Sequence, residues 1–248
     1  MIDHYQTDGG RETMLRLGPS TGPVVVVALP LFEEANRVRA FAVAVCRALA
    51  KRGVASALPD MPGQGESLVP LCSLSSIRTL DVAFESVVRA VRSEARKAFV
   101  LAIRSGAIFG NCNGSDGRLR FAPQDGSGLL RDLKRIKQAA SSSARSAARR
   151  LGEDWHLEDA VSTGGVDQLV EIAGNLIRSD FLATLSVDPA AIEATSPLRT
   201  VRLVTDAKPA DRHVPGTPLW RRAEPGNDLA LAALLADDIA DWIATCGA

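Results

Sequence analysis

Short apolar runs alternate along this chain with longer segments whose apolar residues recur at helical spacing. Residues 24–29 form one continuous β-branched and aliphatic run, which is typical of a strand covered on both faces. Val38, Phe41 and Val45 then repeat at helical spacing, so a helix is predicted with Asn36 as its N-cap. The same patterns predict strands over 12–17, 54–58 and 98–103 and a helix over about 75–96.

The middle of the chain breaks this alternation. Residues 127–150 are predicted to form one long basic helix, and a second helix is predicted over 165–178. Because both helices interrupt the strand–helix order, residues 115–196 are interpreted as a helical cap inserted over the carboxyl edge of a sheet. Strands are predicted to resume at 201–204, and a last strand over 219–223 is expected before a C-terminal helix.

The alternation of strands and helices predicts the α/β class, with a mostly parallel, doubly wound sheet. The core is predicted to comprise residues 1–114 and 197–248, on either side of the cap. The 248 residues are 46% hydrophobic and 23% charged, as in an ordinary globular protein. Because 29 basic and 29 acidic residues leave no net charge, no nucleic-acid partner is predicted.

Cysteine usage and the chain's apolar runs predict a cytoplasmic protein. The four cysteines lie far apart with no CxxC pair, which favours reduced thiols over a disulfide framework or a zinc site. The N-terminal residues are polar and lack the apolar region of a signal peptide. The longest uncharged apolar run, residues 24–32, is too short to span a bilayer, so no transmembrane segment is expected. No metal or cofactor is predicted, and the oligomeric state stays open.

The segment 100–107, VLAIRSGA, passes from a hydrophobic strand to a helix through small residues. It resembles the nucleophile elbow of α/β hydrolases, which has a small-x-nucleophile-x-small pattern. With Ala102 and Gly106 as the small residues, Arg104 takes the nucleophile position, and a protonated arginine cannot attack a carbonyl. The alternative register makes Ser105 the nucleophile, but it places a β-branched isoleucine at a crowded flank.

Two further segments carry the resemblance. Residues 60–67, DMPGQGES, are similar to the D-x-P-G-x-G-x-S loop that follows an early core strand in α/β hydrolases. Residues 30–37, PLFEEANR, are similar to the P-x-x-E-E-x-N-[KR] segment of hydrolase 2 of the exosortase A system, and residues 217–225, TPLWRRAEP, fit that family as well. The resemblance implies a hydrolase-fold protein linked to exopolysaccharide and protein-sorting systems, whose members also have an arginine at the elbow. It implies no known reaction.

A working acyl hydrolase requires an acid and a histidine after the nucleophile. Asp206 ends a predicted core strand, where such enzymes often hold the acid, and it is interpreted as either that acid or a turn aspartate. His213 follows in the right chain order. It precedes the predicted last strand, whereas the triad histidine should follow it, so His213 is interpreted as a loop histidine. Ser105, Asp206 and His213 are the catalytic candidates if activity remains.

A pocket is predicted around the elbow. Glu33 and Glu34 lie in the loop that supplies oxyanion contacts in hydrolases, and they also suit the first turn of a helix. Loops after adjacent parallel strands meet at one sheet edge, so one of these acids is expected to pair with Arg104. Phe32 and Asn36 flank the acids and complete the predicted pocket.

Three functions follow from these residues. The first is a hydrolase-family protein of the exosortase and exopolysaccharide system, with a degenerate triad, that binds a small ligand or a partner at the old active site. The second is a working esterase or thioesterase that uses Ser105. The third is an interaction protein that uses the basic face of the cap. The basic residues of that face are Arg131, Lys134, Arg135, Lys137, Arg145, Arg149 and Arg150.

Overall fold

Eight strands form one mixed sheet in the computed structural model, which describes residues 1–112, 114–151, 168–186 and 196–246. The strands are β1 (Ile2–Thr7), β2 (Gly10–Leu17), β3 (Val24–Ala28), β4 (Ala55–Pro59), β5 (Ala98–Ile103), β6 (Gly117–Phe121), β9 (Leu198–Leu203) and β10 (Arg212–Val214). Their spatial order is β1-β2-β4-β3-β5-β6-β9-β10. From β4 to β10 every pairing is parallel, whereas the β1–β2 and β2–β4 pairings are antiparallel. The α/β class and the mostly parallel sheet are confirmed.

Six helices and a separate hairpin surround the sheet in the described ranges. The helices are α1 (Glu33–Lys51), α2 (Arg78–Ser93), α3 (Gly106–Phe109), α4 (Gly126–Leu151), α5 (Ser179–Thr184) and α6 (Leu229–Cys246). The hairpin pairs β7 (Leu169–Ile172) with β8 (Asn175–Arg178). Helices α1 and α6 pack on one face of the sheet, and α2 packs on the other in an apolar cluster that also includes α4, α5 and the hairpin. In the described part of the chain, no helix has the length and apolarity needed to cross a membrane.

The first helix begins earlier than its predicted N-cap. Helix α1 starts at Glu33, and Asn36 is exposed within its first turns. Phe32 takes the N-cap position and offers no side-chain hydrogen bond. Two acidic residues in the first turn stabilise this end of the helix through its dipole instead, which explains why no Asn cap is required.

The segment interpreted as a helical cap contains one strand of the main sheet. Strand β6 lies between β5 and β9, so residues 117–121 belong to the core and the predicted boundary at 115 comes too early. The long helix predicted over 127–150 corresponds to α4. The helix predicted over 165–178 is wrong from residue 168 onward, and residues 165–167 lie outside the described part. Ala173 and Gly174 both have positive φ and close a two-residue hairpin turn there.

The C-terminal part differs from the prediction in one strand. Residues 198–203 form β9, close to the predicted 201–204, and the C-terminal helix is α6. The last strand is β10, however, and the segment predicted as a strand over 219–223 contains a 3-10 turn, Leu219–Arg221. Pro218 precedes this turn with its φ fixed near −70° and has no N–H for a sheet ladder. His213 therefore lies on the last strand rather than before it.

Candidate functional site

The turn after β5 places an arginine in a strained backbone conformation. Arg104 has φ 54°, in the left-handed region that non-glycine residues rarely adopt. Gly106 lies so close to the carbonyl of Ala28 on β3 that a Cβ at this position would collide with it. The crossing therefore needs a small residue at Gly106, and the predicted register with Arg104 at the apex is confirmed.

The Arg104 side chain is held on three sides. Its Nε and Nη2 donate to Oε2 and Oε1 of Glu34, both at 3.2 Å, in a two-pronged contact. Its Nη1 donates to the carbonyl oxygen of Ala122 at 3.3 Å. The guanidinium carbon lies 4.7 Å from the ring centroid of Trp220, within the range of a cation–π contact. The expected pairing of Arg104 with Glu33 or Glu34 is confirmed for Glu34.

The loop between β3 and α1 brings Glu34 to this position. Phe32 at the end of the loop has φ 59° and ψ −138°, a second strained conformation beside the same site. Its N–H donates to Oε1 of Gln64 at 2.9 Å. In hydrolases an N–H of this loop faces the oxyanion, but here a side-chain amide occupies the Phe32 donor.

Ser105 follows Arg104 and faces the protein interior. It is 0% exposed, and its Oγ accepts a hydrogen bond from the Leu31 N–H at 2.9 Å. The hydroxyl thus joins the turn to the loop after β3. This contact gives Ser105 a structural role in positioning both loops.

Asp206 and His213 lie at the far side of the sheet. His213 is exposed on the edge strand β10, and its Nε2 lies 3.1 Å from the carbonyl oxygens of Asp206 and Lys208. Strands β6 and β9 separate β10 from β5, which corresponds to about 14 Å at the usual strand spacing. The structure therefore does not bring Ser105 and His213 together.

The carboxylate of Asp206 is used locally. It accepts hydrogen bonds from Nη1 of Arg202 at 2.6 Å and from the Lys208 N–H at 3.1 Å. Burial alone would raise the pKa of Asp206, but these two donors hold it below its ordinary value. The contacts match the turn aspartate that the sequence left open as an alternative to the triad acid.

Sequence reasoning missed Trp220. The 3-10 turn after the last strand carries this ring over Arg104, in the part of the chain where a triad histidine was expected and not found. The ring also packs edge-on against Phe121 at the end of β6, with centroids 6.1 Å apart. A tryptophan two positions after Pro218 was the available signal, but the apolar residues there also fitted a short strand.

A cavity of about 520 Å³ opens above these side chains. One wall is formed by the Arg104 turn and the start of α1, and the other by α4 and the β7–β8 hairpin. Its apolar lining includes Leu31, Phe32, Leu129, Leu133, Ile136, Ile172, Ile177 and Trp220. Its charged lining consists of Glu33, Glu34, Arg37, Arg104, Asp132, Arg135 and Arg221. Asn36 is exposed on α1 and lines a smaller neighbouring cleft instead, together with Asp60 and Gln64, so its place in a ligand pocket stays a prediction.

The basic face of α4 borders the cavity only in part. Arg135 lines the cavity rim, and Arg131 and Lys134 are exposed. The side chains of Arg145, Arg149 and Arg150 lie outside the described residues. Within the described ranges, no three His, Cys, Asp or Glu side chains are grouped as metal ligands.

Comparison with solved structures establishes the fold. The chain is similar over 98% of its length, and of the other chain's, to Est1E from Butyrivibrio proteoclasticus in complex with ferulic acid, with 10% identity and a TM-score of 0.59. It also resembles epoxide hydrolase VrEH1 from Vigna radiata, at 19% identity and a TM-score of 0.41, over 49% of this chain and 40% of the other. A serine hydrolase without a lid, XC6422 from Xanthomonas campestris, matches 50% of this chain and 61% of its own at 15% identity and a TM-score of 0.41.

The likeness to Est1E over nearly the whole chain shows the α/β-hydrolase fold and carries no activity to this chain. The chain spans about 40% of the length of the epoxide hydrolase it matches, and nearly all of Est1E. No protein-family model matches the chain, and no curated protein matches it.

Proposed function

We propose that this chain is an α/β-hydrolase-fold protein with a degenerate catalytic site that binds a small ligand instead of hydrolysing an acyl substrate. The observation that carries the proposal is Arg104 at the apex of the turn, held by Glu34 and Trp220. A charged guanidinium there offers no nucleophile, and it fills the space from which a serine would attack.

The neighbouring contacts support the same function. The Ser105 hydroxyl is buried against the Leu31 N–H, and the Phe32 N–H is taken by Gln64. Neither the attacking group nor this oxyanion donor is therefore available in the arrangement that acyl transfer needs. In the part of the chain that the structure describes, no histidine is hydrogen-bonded to Ser105, and a buried serine without such a partner is not activated as a nucleophile.

The cavity supports small-ligand binding. Its volume of about 520 Å³ falls within the range of small-molecule sites, and its apolar lining with a few charged groups is the usual composition of such sites. Strained backbone at Arg104 and Phe32 on its floor is the kind of strain that proteins retain at functional sites. The ligand is thus an amphipathic small molecule with an apolar body.

The setting that we propose is an exosortase and exopolysaccharide system. This part of the proposal rests on the resemblance of residues 30–37, whose second glutamate is the residue that pairs with Arg104. The second glutamate of the E-E pair in that segment is Glu34, so the sequence motif includes the residue that pairs with Arg104.

The test combines hydrolysis with ligand binding. We expect p-nitrophenyl ester hydrolysis near background, no labelling by a fluorophosphonate probe, and no change in either on Ser105→Ala. We expect saturable binding of the amphipathic dye 1-anilinonaphthalene-8-sulfonate by the folded chain. Ile136→Trp, which narrows the cavity, should weaken this binding at least tenfold, and Leu229→Trp at an exposed site outside the cavity should not.

Two results would contradict the proposal. A large loss of hydrolysis on Ser105→Ala, matched by a non-additive loss on His213→Ala, would show that the two residues act as a catalytic unit. Dye binding that is unsaturable, or equally strong in wild type and Ile136→Trp, would show that the cavity is not the binding site.

A further inference from the structure

Arg118 and Arg120 lie on one face of β6, the face that packs toward α2. Residues two apart in a strand share a face, and the intervening Leu119 belongs to the apolar cluster on the opposite side. The residues paired with the two arginines on the neighbouring strands are all uncharged. They are Val100 and Ala102 on β5 and Leu198 and Thr200 on β9. The sheet itself therefore provides no counter-charge for this pair.

The pair is desolvated and incompletely bonded. Arg118 is 3% exposed, and its Nε and Nη2 are buried without a hydrogen-bond partner among the described residues. Arg120 is half-buried, and its Nη2 donates to Oδ1 of Asn111 at 3.4 Å. Burial lowers the pKa of both arginines, and the charge of Arg118 lowers the pKa of Arg120 further. The two side chains are neighbours because they lie two residues apart on one face of the strand.

Nearby acids do not neutralise the pair. Burial and the charges of Glu85 and Asp81 on α2 raise the pKa of the adjacent Cys112 thiol to about 12, so acids are present on that side. Among the described residues, however, no carboxylate forms an ion pair within 4.0 Å of Arg118 or Arg120. The arginines of β9 and β10 behave differently. Arg199 and Arg212 both donate to Asp238, and Arg202 donates to Asp206.

A buried cation without a partner is costly, and proteins retain one where something supplies the missing charge. We propose that Arg118 and Arg120 form a binding site for a small oxyanion, phosphate or carboxylate, on the α2-facing side of β6. The planar fork of each guanidinium matches the paired oxygens of such an anion. Asn111 accepts from Arg120 through Oδ1, which leaves its Nδ2 as a third donor. The half-buried Arg120 marks the side from which the anion enters.

The test measures the thermal unfolding of the full chain against added inorganic phosphate, at constant ionic strength set with sodium chloride. A ligand that binds only the folded state raises Tm in proportion to the logarithm of its concentration above Kd. We expect such a rise in wild type. Arg118→Met and Arg120→Met should weaken the apparent phosphate affinity at least tenfold, and the exposed Arg47→Met on α1, which changes the charge equally, should leave it unchanged. Sulfate and acetate titrations distinguish the two classes of oxyanion, since a phosphate site responds to sulfate and a carboxylate site responds to acetate.

The stability of the variants without added oxyanion makes the outcome decisive. In chloride buffer Arg118→Met should unfold at the wild-type Tm or above, because it removes an unpaired buried charge. The proposal is overturned if wild type shows no response to any of the three anions while Arg118→Met lowers Tm in every buffer, since the arginine is then paired within the chain. It is also overturned if the response persists in both β6 variants.

Discussion

Two arginine–carboxylate contacts at different edges of the sheet differ in ways that separate structure from function. Asp238 on α6 is 2% exposed and accepts hydrogen bonds at 2.7–2.8 Å from Arg199 on β9 and Arg212 on β10. Arg104 and Glu34 meet at 3.2 Å, with side chains 14% and 18% exposed. The first contact joins a buried helix carboxylate to two strand arginines that keep partial access to water, and the second forms part of a cavity wall.

The difference shows what each contact contributes. Burial alone would raise the pKa of Asp238, but hydrogen bonds from Arg199 and Arg212 hold it below its ordinary value, so its ionised form stabilises the fold. Its arginines lie in regular strands. The Arg104 contact is longer, and it is made from a backbone at φ 54°. Strain of this kind is maintained by the surrounding fold and is typical of a site, not of a structural contact.

The largest loss of unfolding free energy is expected for Asp238→Asn. Replacing the buried carboxylate with an amide leaves two guanidiniums without a counter-charge. Such a change lowers the unfolding free energy by about 3–5 kcal/mol when both partners are fully buried. Because Arg199 and Arg212 keep partial access to water, we expect about 2–4 kcal/mol, measured as a loss of unfolding free energy in urea.

The neighbouring Asp237→Asn is the control. Asp237 pairs with Arg52 at an exposed position, where solvent screens the ion pair, so we expect a much smaller loss than for Asp238→Asn. Equal losses for the two variants would show that the Asp238 contact is no more structural than a surface pair.

The second prediction concerns Arg104→Met. It leaves Glu34 beside apolar groups and removes the contact with Trp220, so we expect a loss of about 1–3 kcal/mol. Glu34→Gln in the Arg104→Met background should cost less than Glu34→Gln alone, with a coupling of about 1 kcal/mol in a double-mutant cycle. Glu33→Gln, in the same helical turn, controls for the helix dipole and should show no coupling. Additive single losses for Arg104 and Glu34 would contradict the pairing.

The sequence alone predicted the Arg104–Glu34 contact, whereas it did not predict the contacts of Asp238. The small residues around Arg104 fix the register of the turn, since only glycine fits beside Ala28 at position 106. Parallel strands also bring successive loops to the same edge, which is why Glu34 could be placed next to Arg104. Asp238 carried no such signal, because nothing in a helical repeat shows which strand arginines will reach it.

The cavity walls could not be predicted in the same way. The apolar residues of β7 fit a helical period as well as a strand, and the turn at 173–174 decides between them only through its backbone conformation. Trp220 lies on a 3-10 turn, and its ring packs on Phe121, which is distant along the chain. Local pattern carries no information about such a contact, so the strand predicted there was wrong.

The smallest expected effect comes from backbone strain, which we compare at Arg104 and Arg199. At φ 54° an alanine pays the steric cost of its Cβ and a glycine does not, so Arg104→Gly should be about 1 kcal/mol more stable than Arg104→Ala. Arg199 lies in regular strand geometry, where glycine gains nothing and loses more chain entropy. Arg199→Gly should therefore be about 0.5–1 kcal/mol less stable than Arg199→Ala.

The four variants are compared by their urea midpoints at equal m-values. Because each pair differs only by one methyl group, the lost side-chain contacts cancel, and opposite signs at the two sites report backbone strain alone. The same sign at both would mean that Arg104 holds no more strain than a strand arginine, and the strain argument for a site would fail.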